Sequence, residues 1–137
     1  MSNYSSFIVN MTNILIIDDD SVIRQLLQSF LSLKRYKVES VSNGIDALTA
    51  VSNTQFDIVI TDLKLKKFRG ADLIKKMQTI QPGIKLIAMS GDTSFDSLPE
   101  EIRTSIALIR KPFRLEEVEN LIRNLQEANN QDSSGSA

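Results

Sequence analysis

The chain has no cysteine and no histidine among its 137 residues. Without cysteine there is no disulfide framework, thiol nucleophile or thiolate zinc site, and without histidine the usual general base and metal ligand is missing. A charge excess of one sign is also lacking. Sixteen basic residues against 17 acidic ones leave a formal net charge of −1, so no global field draws the chain to nucleic acid or to an anionic membrane. No apolar run has the length of a membrane span or the flanks of a signal peptide, and a cytoplasmic location is expected. Any chemistry must run on carboxylates, hydroxyls and lysines.

What is present suffices for a core. A hydrophobic content of 42% fills one domain of ordinary size without covalent staples. Residues 1–11 hold only the apolar cluster Phe7, Ile8 and Val9, and are expected to form a flexible extension. Residues 128–137 are mostly Asn, Gln, Asp, Ser and Gly, with little to bury, and read as a disordered tail. The domain is therefore 12–127, with no room after Glu127 for an effector domain, so output is expected to pass to another protein.

Within the domain, two periodicities alternate. Asn13 to Ile17 is a short apolar run that delivers Asp18, Asp19 and Asp20 to one point, as a buried parallel strand opening into a helix does. Val22, Ile23, Leu26, Leu27, Phe30 and Leu31 then recur at helical spacing, with Asp20 or Ser21 as N-cap. Tyr36–Ser42 is a second strand, Ile45, Leu48 and Val51 mark a second helix, and Phe56–Thr61 is a third strand ending at Asp62. A basic loop, Lys64 to Gly70, leads to a helix over 71–80 that the Gln81-Pro82-Gly83 turn closes. Ile84–Met89 is a fourth strand ending at Ser90, and Pro99 opens a short helix over 100–104. Ile106–Arg110 is a fifth strand stopped by Lys111-Pro112, and Leu115 to Leu125 carry a last helix. Strand and helix in strict alternation predict an α/β, doubly wound parallel sheet of five strands with helices on both faces.

This topology places Asp18 to Asp20, Asp62, Ser90 and Lys111 along one edge, at the carboxyl ends of the strands, where open α/β sheets bind ligands. Two carboxylates about 4 Å apart repel by about 4 kcal/mol at an effective dielectric near 20. Such a cluster requires a proton, a lysine or a divalent cation, and an all-oxygen donor set favours Mg²⁺.

These residues make the chain similar to the receiver domains of two-component response regulators, over residues 11 to 127. The acidic pair Asp18-Asp19, the Asp62 that ends Asp57-Ile58-Val59-Ile60-Thr61-Asp62, the pair Ser90-Gly91 and the triplet Lys111-Pro112-Phe113 occur in that family's order. The resemblance implies a flavodoxin-like sheet of order 2-1-3-4-5 and a cis bond before Pro112. It implies phosphoryl transfer to Asp62 from a histidine kinase or histidine phosphotransfer protein, with Mg²⁺ held by Asp18, Asp19, Asp62 and the Lys64 backbone carbonyl. The backbone amides of Leu63 and Gly91, the Ser90 hydroxyl and Lys111 would meet the phosphoryl oxygens. Phosphorylation would draw Ser90 inward and change binding to a downstream effector protein. No direct nucleic-acid or membrane partner is expected, and the chain is expected to be a monomer or weak dimer.

Three departures from that pattern matter. Lys66 stands where the family often has a proline, which predicts a less rigid, more basic loop. Leu108 stands at the switch position where an aromatic commonly turns inward. Lys64 and Asp92 border the phosphoryl position with opposite charges, which predicts a rate-modulating pair that slows attack by water. Two alternatives remain open: a haloacid-dehalogenase-like phosphatase built on Asp18 and Asp20, and a receiver-like interaction module that is never phosphorylated.

Overall fold

The computed structural model describes residues 11–135, with side chains as far as Ala128; of the extension expected at 1–11, all but Met11 lies outside the described residues. Five parallel strands form the sheet: β1 (Asn13–Ile17), β2 (Lys37–Val41), β3 (Ile58–Asp62), β4 (Lys85–Ser90) and β5 (Ala107–Arg110). They are parallel, as the alternation predicts, and lie in the order β2-β1-β3-β4-β5 that the resemblance implies. The helices are α1 (Ser21–Leu33), α2 (Gly44–Asn53), α3 (Gly70–Ile80), α4 (Glu100–Arg103) and α5 (Leu115–Gly135). The backbone of α5 runs past Glu127, into the segment read as a tail: its residues are poor in apolar groups, yet no proline interrupts them.

β1 explains why the sheet is central. Ile14, Leu15, Ile16 and Ile17 are all fully buried, and each contributes about 1.5–3 kcal/mol relative to exposure. Because successive side chains of a strand point to opposite faces, Leu15 and Ile17 enter one core with Val59, Leu86, Leu73, Ile74 and Met77. Ile14 and Ile16 enter the other with Ile58, Ile60, Leu27, Leu31, Val118 and Ile122. Both faces of the sheet are therefore covered, α1 and α5 on one side and α2 to α4 on the other.

The helices bury narrower stripes than their apolar periodicity suggests. In α1 only Leu27 and Leu31 are fully enclosed, whereas Val22 and Leu26 face solvent, as does Ile45 of α2. A helix lying flat on a sheet contacts it along one line, so apolar positions at the edge of the stripe stay outside.

Two connections differ from expectation in detail. The basic loop is a small antiparallel hairpin in which Lys64 pairs with Arg69 and Leu65 with Phe68, with Lys67 at φ 74° in the turn. Between β4 and α4, Thr93–Ser97 forms a 3-10 turn, and Pro99 sits at the N-cap of α4 with φ −55° and ψ 146° rather than inside it.

Candidate functional site

Four of the five strands bring a polar group to the carboxyl edge. Asp18 follows β1, Asp62 ends β3, Ser90 ends β4 and Lys111 follows β5. Lys111 is set by a backbone bond in which its amide donates to the Ser90 carbonyl at 2.8 Å; the peptide bond to Pro112 is cis. Its Nζ then lies 3.0 Å from Asp18 Oδ2 and 3.0 Å from Asp62 Oδ2.

The three acids of the opening segment divide by role. Asp20 is the N-cap of α1, its carboxylate accepting from the Val22 amide at 2.9 Å. Asp18 is fully buried and its Oδ1 accepts from the Asp20 amide at 2.9 Å. Asp19 is exposed. Carboxylate oxygens of Asp18, Asp19 and Asp62 all lie within 4.8 Å of one another, an all-oxygen donor set of the kind that hard divalent cations take. The residues present fit Mg²⁺.

Electrostatics follow from burial. Burial pushes the Asp18 carboxyl above its ordinary range, against the opposing pull of the Asp20 amide and the Lys111 ammonium. Burial works to lower Lys111, but the hydrogen bonds and charges of Asp18 and Asp62 outweigh it and hold the ammonium above its ordinary value. The site thus keeps a fixed cation between two carboxylates.

Asp62 is nearly buried, with 7% exposed. Its Oδ1 accepts from the Lys64 amide at 2.9 Å and its Oδ2 from Lys111. The expectation for the Leu63 amide is corrected here: that amide donates to the Met89 carbonyl at 3.0 Å, because the β3–β4 ladder continues past Asp62. The amide turned toward the carboxylate is that of Lys64. Gly91 lies against Lys111, where an added Cβ would meet the Lys111 Cβ at 3.8 Å.

Ser90 is buried, and its hydroxyl donates to Asp92 Oδ1 at 3.0 Å. Asp92 in turn pairs with Lys64, its Oδ2 lying 2.5 Å from the ammonium. The resemblance puts Lys64 and Asp92 beside the phosphoryl position but does not draw the link to Ser90. A serine hydroxyl often accepts from the backbone amide two residues on, as Ser90 does from Asp92 at 3.2 Å, and that local pattern was the available signal. Arg24 was also missed: its Nη1 donates to the Asp18 carbonyl at 2.7 Å and braces the segment that carries the acids. Leu108 is half-buried against the core that contains Phe95.

The geometry disfavours the phosphatase alternative. That chemistry needs Asp18 and Asp20 facing one substrate, yet Asp18 is enclosed and Asp20 is committed to the helix cap. The acids after Lys111 point elsewhere, Glu117 to Arg114 and Glu119 to Lys34 and Arg123.

A doubly wound sheet that gathers carboxylates, a buried hydroxyl and a lysine at one edge defines a phosphoacceptor α/β domain. Residues 14–123 match the family model of the response regulator receiver domain, and the chain belongs to that family, whose members accept phosphoryl groups in two-component signalling. It is similar to sporulation initiation phosphotransferase F of Bacillus subtilis (strain 168), 29% identical over 111 residues covering 80% of this chain and 90% of the relative. It is 28% identical over 108 residues to the transcriptional regulatory protein ZraR of Klebsiella oxytoca, covering 78% of this chain but 24% of that relative. A response regulator receiver domain protein from Clostridium thermocellum superposes with a TM-score of 0.80 at 25% identity, over 88% of this chain and 98% of the other. Among the described residues, no helix is long and apolar enough to cross a membrane.

Proposed function

We propose that Asp62 is the phosphoacceptor and that the chain is a phosphorylation-dependent switch or relay. The observation that carries this reading is the double engagement of Asp62, with one oxygen on the Lys64 amide and the other on Lys111. Both are donors aimed at the place where phosphoryl charge would arrive.

In the reaction, an Asp62 oxygen attacks the phosphorus of a phosphohistidine in line with the leaving nitrogen. A P–O bond forms, the P–N bond breaks, and the imidazole departs. Lys111 stays beside the reacting oxygens and offsets their charge, while the Ser90 hydroxyl and the Gly91 amide would donate to the phosphoryl group. Mg²⁺, when bound, would supply charge neutralisation, and Asp18, Asp19, Asp62 and the Lys64 carbonyl are the groups to hold it. Water later hydrolyses the acyl phosphate, and Lys64 with Asp92 at the rim slows that attack. The domain catalyses only its own phosphorylation and dephosphorylation.

The phosphoryl source is a histidine kinase or a histidine phosphotransfer protein in the cytoplasm, and the output is a protein partner rather than nucleic acid or membrane. The name of the Bacillus relative, a phosphotransferase, supports onward transfer as one output. A small acyl-phosphate donor with Mg²⁺ should add one phosphoryl group to the wild type and none to Asp62→Asn. Label that survives Asp62→Asn would overturn the assignment, and a wild type that takes no label from donor or kinase would favour an unphosphorylated interaction module.

A further inference from the structure

The basic charge of this chain is unevenly placed. Residues 66–76 hold five cations, Lys66, Lys67, Arg69, Lys75 and Lys76, against the single acid Asp72, a net +4. The rest of the chain, with 11 basic and 16 acidic residues, carries −5. All six of these charged residues are exposed. Among the described residues none of the five cations forms an ion pair, whereas Lys34, Lys64, Lys111, Arg114 and Arg123 each reach a carboxylate. Crowded charges of one sign repel, and no ion pair within the fold offsets that repulsion.

The five cations border a formed groove. The returning arm of the 64–69 hairpin and the first turns of α3 bound a space of about 550 Å³ lined by Lys67, Phe68, Arg69, Asp72, Lys75 and Lys76. Its walls are fixed from beneath, because Leu65 of the hairpin and Leu73, Ile74 and Met77 of α3 are buried in one core. The Phe68 ring packs on Gly44 yet is only half-buried, and the rest of it faces the groove. When an anion arrives, only the ends of the long side chains have to be ordered.

We propose that this groove is a docking site for an acidic segment of a protein partner, whose carboxylates meet Lys67, Arg69, Lys75 and Lys76 while an apolar side chain covers Phe68. Docking here is independent of whether Asp62 accepts a phosphoryl group, since the hydrogen-bond partners of Asp18, Asp62, Ser90 and Lys111 all lie outside the groove. Charge complementarity selects the occupant. Four cations match several carboxylates, and the planar Arg69 guanidinium suits a bidentate one. A nucleic-acid strand carries phosphates along its whole length; inside the groove it would meet Asp72, and beyond it a chain that carries −5. A flat membrane touches only the rims of a concave groove and leaves Phe68 uncovered. A peptide can set a neutral or basic group against Asp72 between its acids, which neither of those surfaces can do.

The test titrates the isotope-labelled full chain by NMR with a synthetic peptide rich in Glu and Asp and carrying one Leu, at physiological salt. Shifts should concentrate in residues 66–76. The variant Lys67→Gln/Lys75→Gln/Lys76→Gln should bind the peptide about tenfold more weakly, with no fall in melting temperature because these side chains are exposed and unpaired. Lys37→Gln/Lys85→Gln/Arg103→Gln removes the same charge elsewhere and should weaken binding less than about twofold. A Lys-rich peptide of the same length should leave the wild-type shifts unmoved, a comparison that needs no variant to fold. A small acyl-phosphate donor with Mg²⁺ should act on the groove variant as on the wild type. Equal weakening in the two variants, or shifts spread over the whole surface, would reduce the binding to unspecific attraction and overturn the docking site. Tighter binding of a DNA duplex or a phosphatidylserine vesicle to the groove would overturn the acidic protein segment as its occupant. Slower labelling of Asp62 in the groove variant would assign the lysines to the phosphoryl site and overturn the separate docking role, whereas a wild type that takes no label bears only on the phosphoacceptor reading.

Discussion

Lys111 Nζ and Asp62 Oδ2 lie 3.0 Å apart although 49 residues separate them in sequence. The same ammonium is 3.0 Å from Asp18 Oδ2, so one cation joins the ends of three strands. It also removes the repulsion that would otherwise hold the two carboxylates apart. A buried carboxylate stripped of its partner is strongly destabilised, and partial exposure of the lysine moderates the loss.

In chelator, Lys111→Met should therefore cost about 2 kcal/mol of stability. Added Mg²⁺ should restore part of this, because a divalent cation replaces the missing charge, so the Mg²⁺-induced rise in melting temperature should be larger than in the wild type. Equal shifts would contradict the pairing. The lysine's pKa is raised, so its contribution is fully present below the ordinary value of 10.5 and is lost as the pH climbs through the raised one. The Lys111-dependent difference should accordingly stay constant between neutral pH and pH 9.

Asp19 tests the metal cradle with little structural cost. It is exposed, whereas Asp18 and Asp62 are tied to Lys111. Asp19→Asn should change stability in chelator by no more than about 0.5 kcal/mol. The wild type should gain about 2.7 kcal/mol at a Mg²⁺ concentration of 100 Kd, and the variant should lose most of that gain at the same concentration. Denaturant melts with and without Mg²⁺ measure both quantities, and an undiminished gain in Asp19→Asn would exclude this residue from the cradle.

Lys64 separates backbone from side chain at one position. Its amide donates to Asp62 whatever side chain it carries, so Lys64→Ala should still be phosphorylated. What it loses is the ammonium at the rim, and the phosphoryl half-life should fall several-fold as water gains access. An unchanged half-life would remove Lys64 and Asp92 from the control of hydrolysis.

The strand ends were legible because each rests on a local pattern, an apolar run of strand length followed by a polar group. Asp20 as a cap was legible for the same reason. The fate of the Leu63 amide was not, since it depends on how far the β3–β4 ladder runs beyond Asp62. Nor was the hairpin at 64–69: a lysine-rich stretch reads as a solvated loop, yet Leu65 is buried in the core and the Phe68 ring lies against Gly44, both long-range contacts. Apolar periodicity located the helices, but the width of each buried stripe is set by the sheet beneath, and Val22, Leu26 and Ile45 lie beyond it.

The contact between Phe68 and Gly44 yields the last prediction. A Cβ added at Gly44 would fall 2.3 Å from Phe68 Cδ2, 2.8 Å from Cε2 and 3.0 Å from Cγ, so the ring must leave its place on the start of α2. Helix propensity alone favours Gly44→Ala by up to about 1 kcal/mol, whereas displacing a packed ring costs about 1–3 kcal/mol. The clash wins, and Gly44→Ala should destabilise by about 1–2 kcal/mol. In a Phe68→Ala background the ring is gone and the same substitution should be neutral or stabilising, a coupling above about 1 kcal/mol in a double-mutant cycle. Additive effects would show that Phe68 does not anchor the loop. The functional consequence follows from chain connectivity: the hairpin held by Phe68 begins at Lys64, whose amide donates to Asp62. Gly44→Ala should thus also slow phosphorylation of Asp62 by a small-molecule donor, and Phe68→Ala should slow it in the same direction.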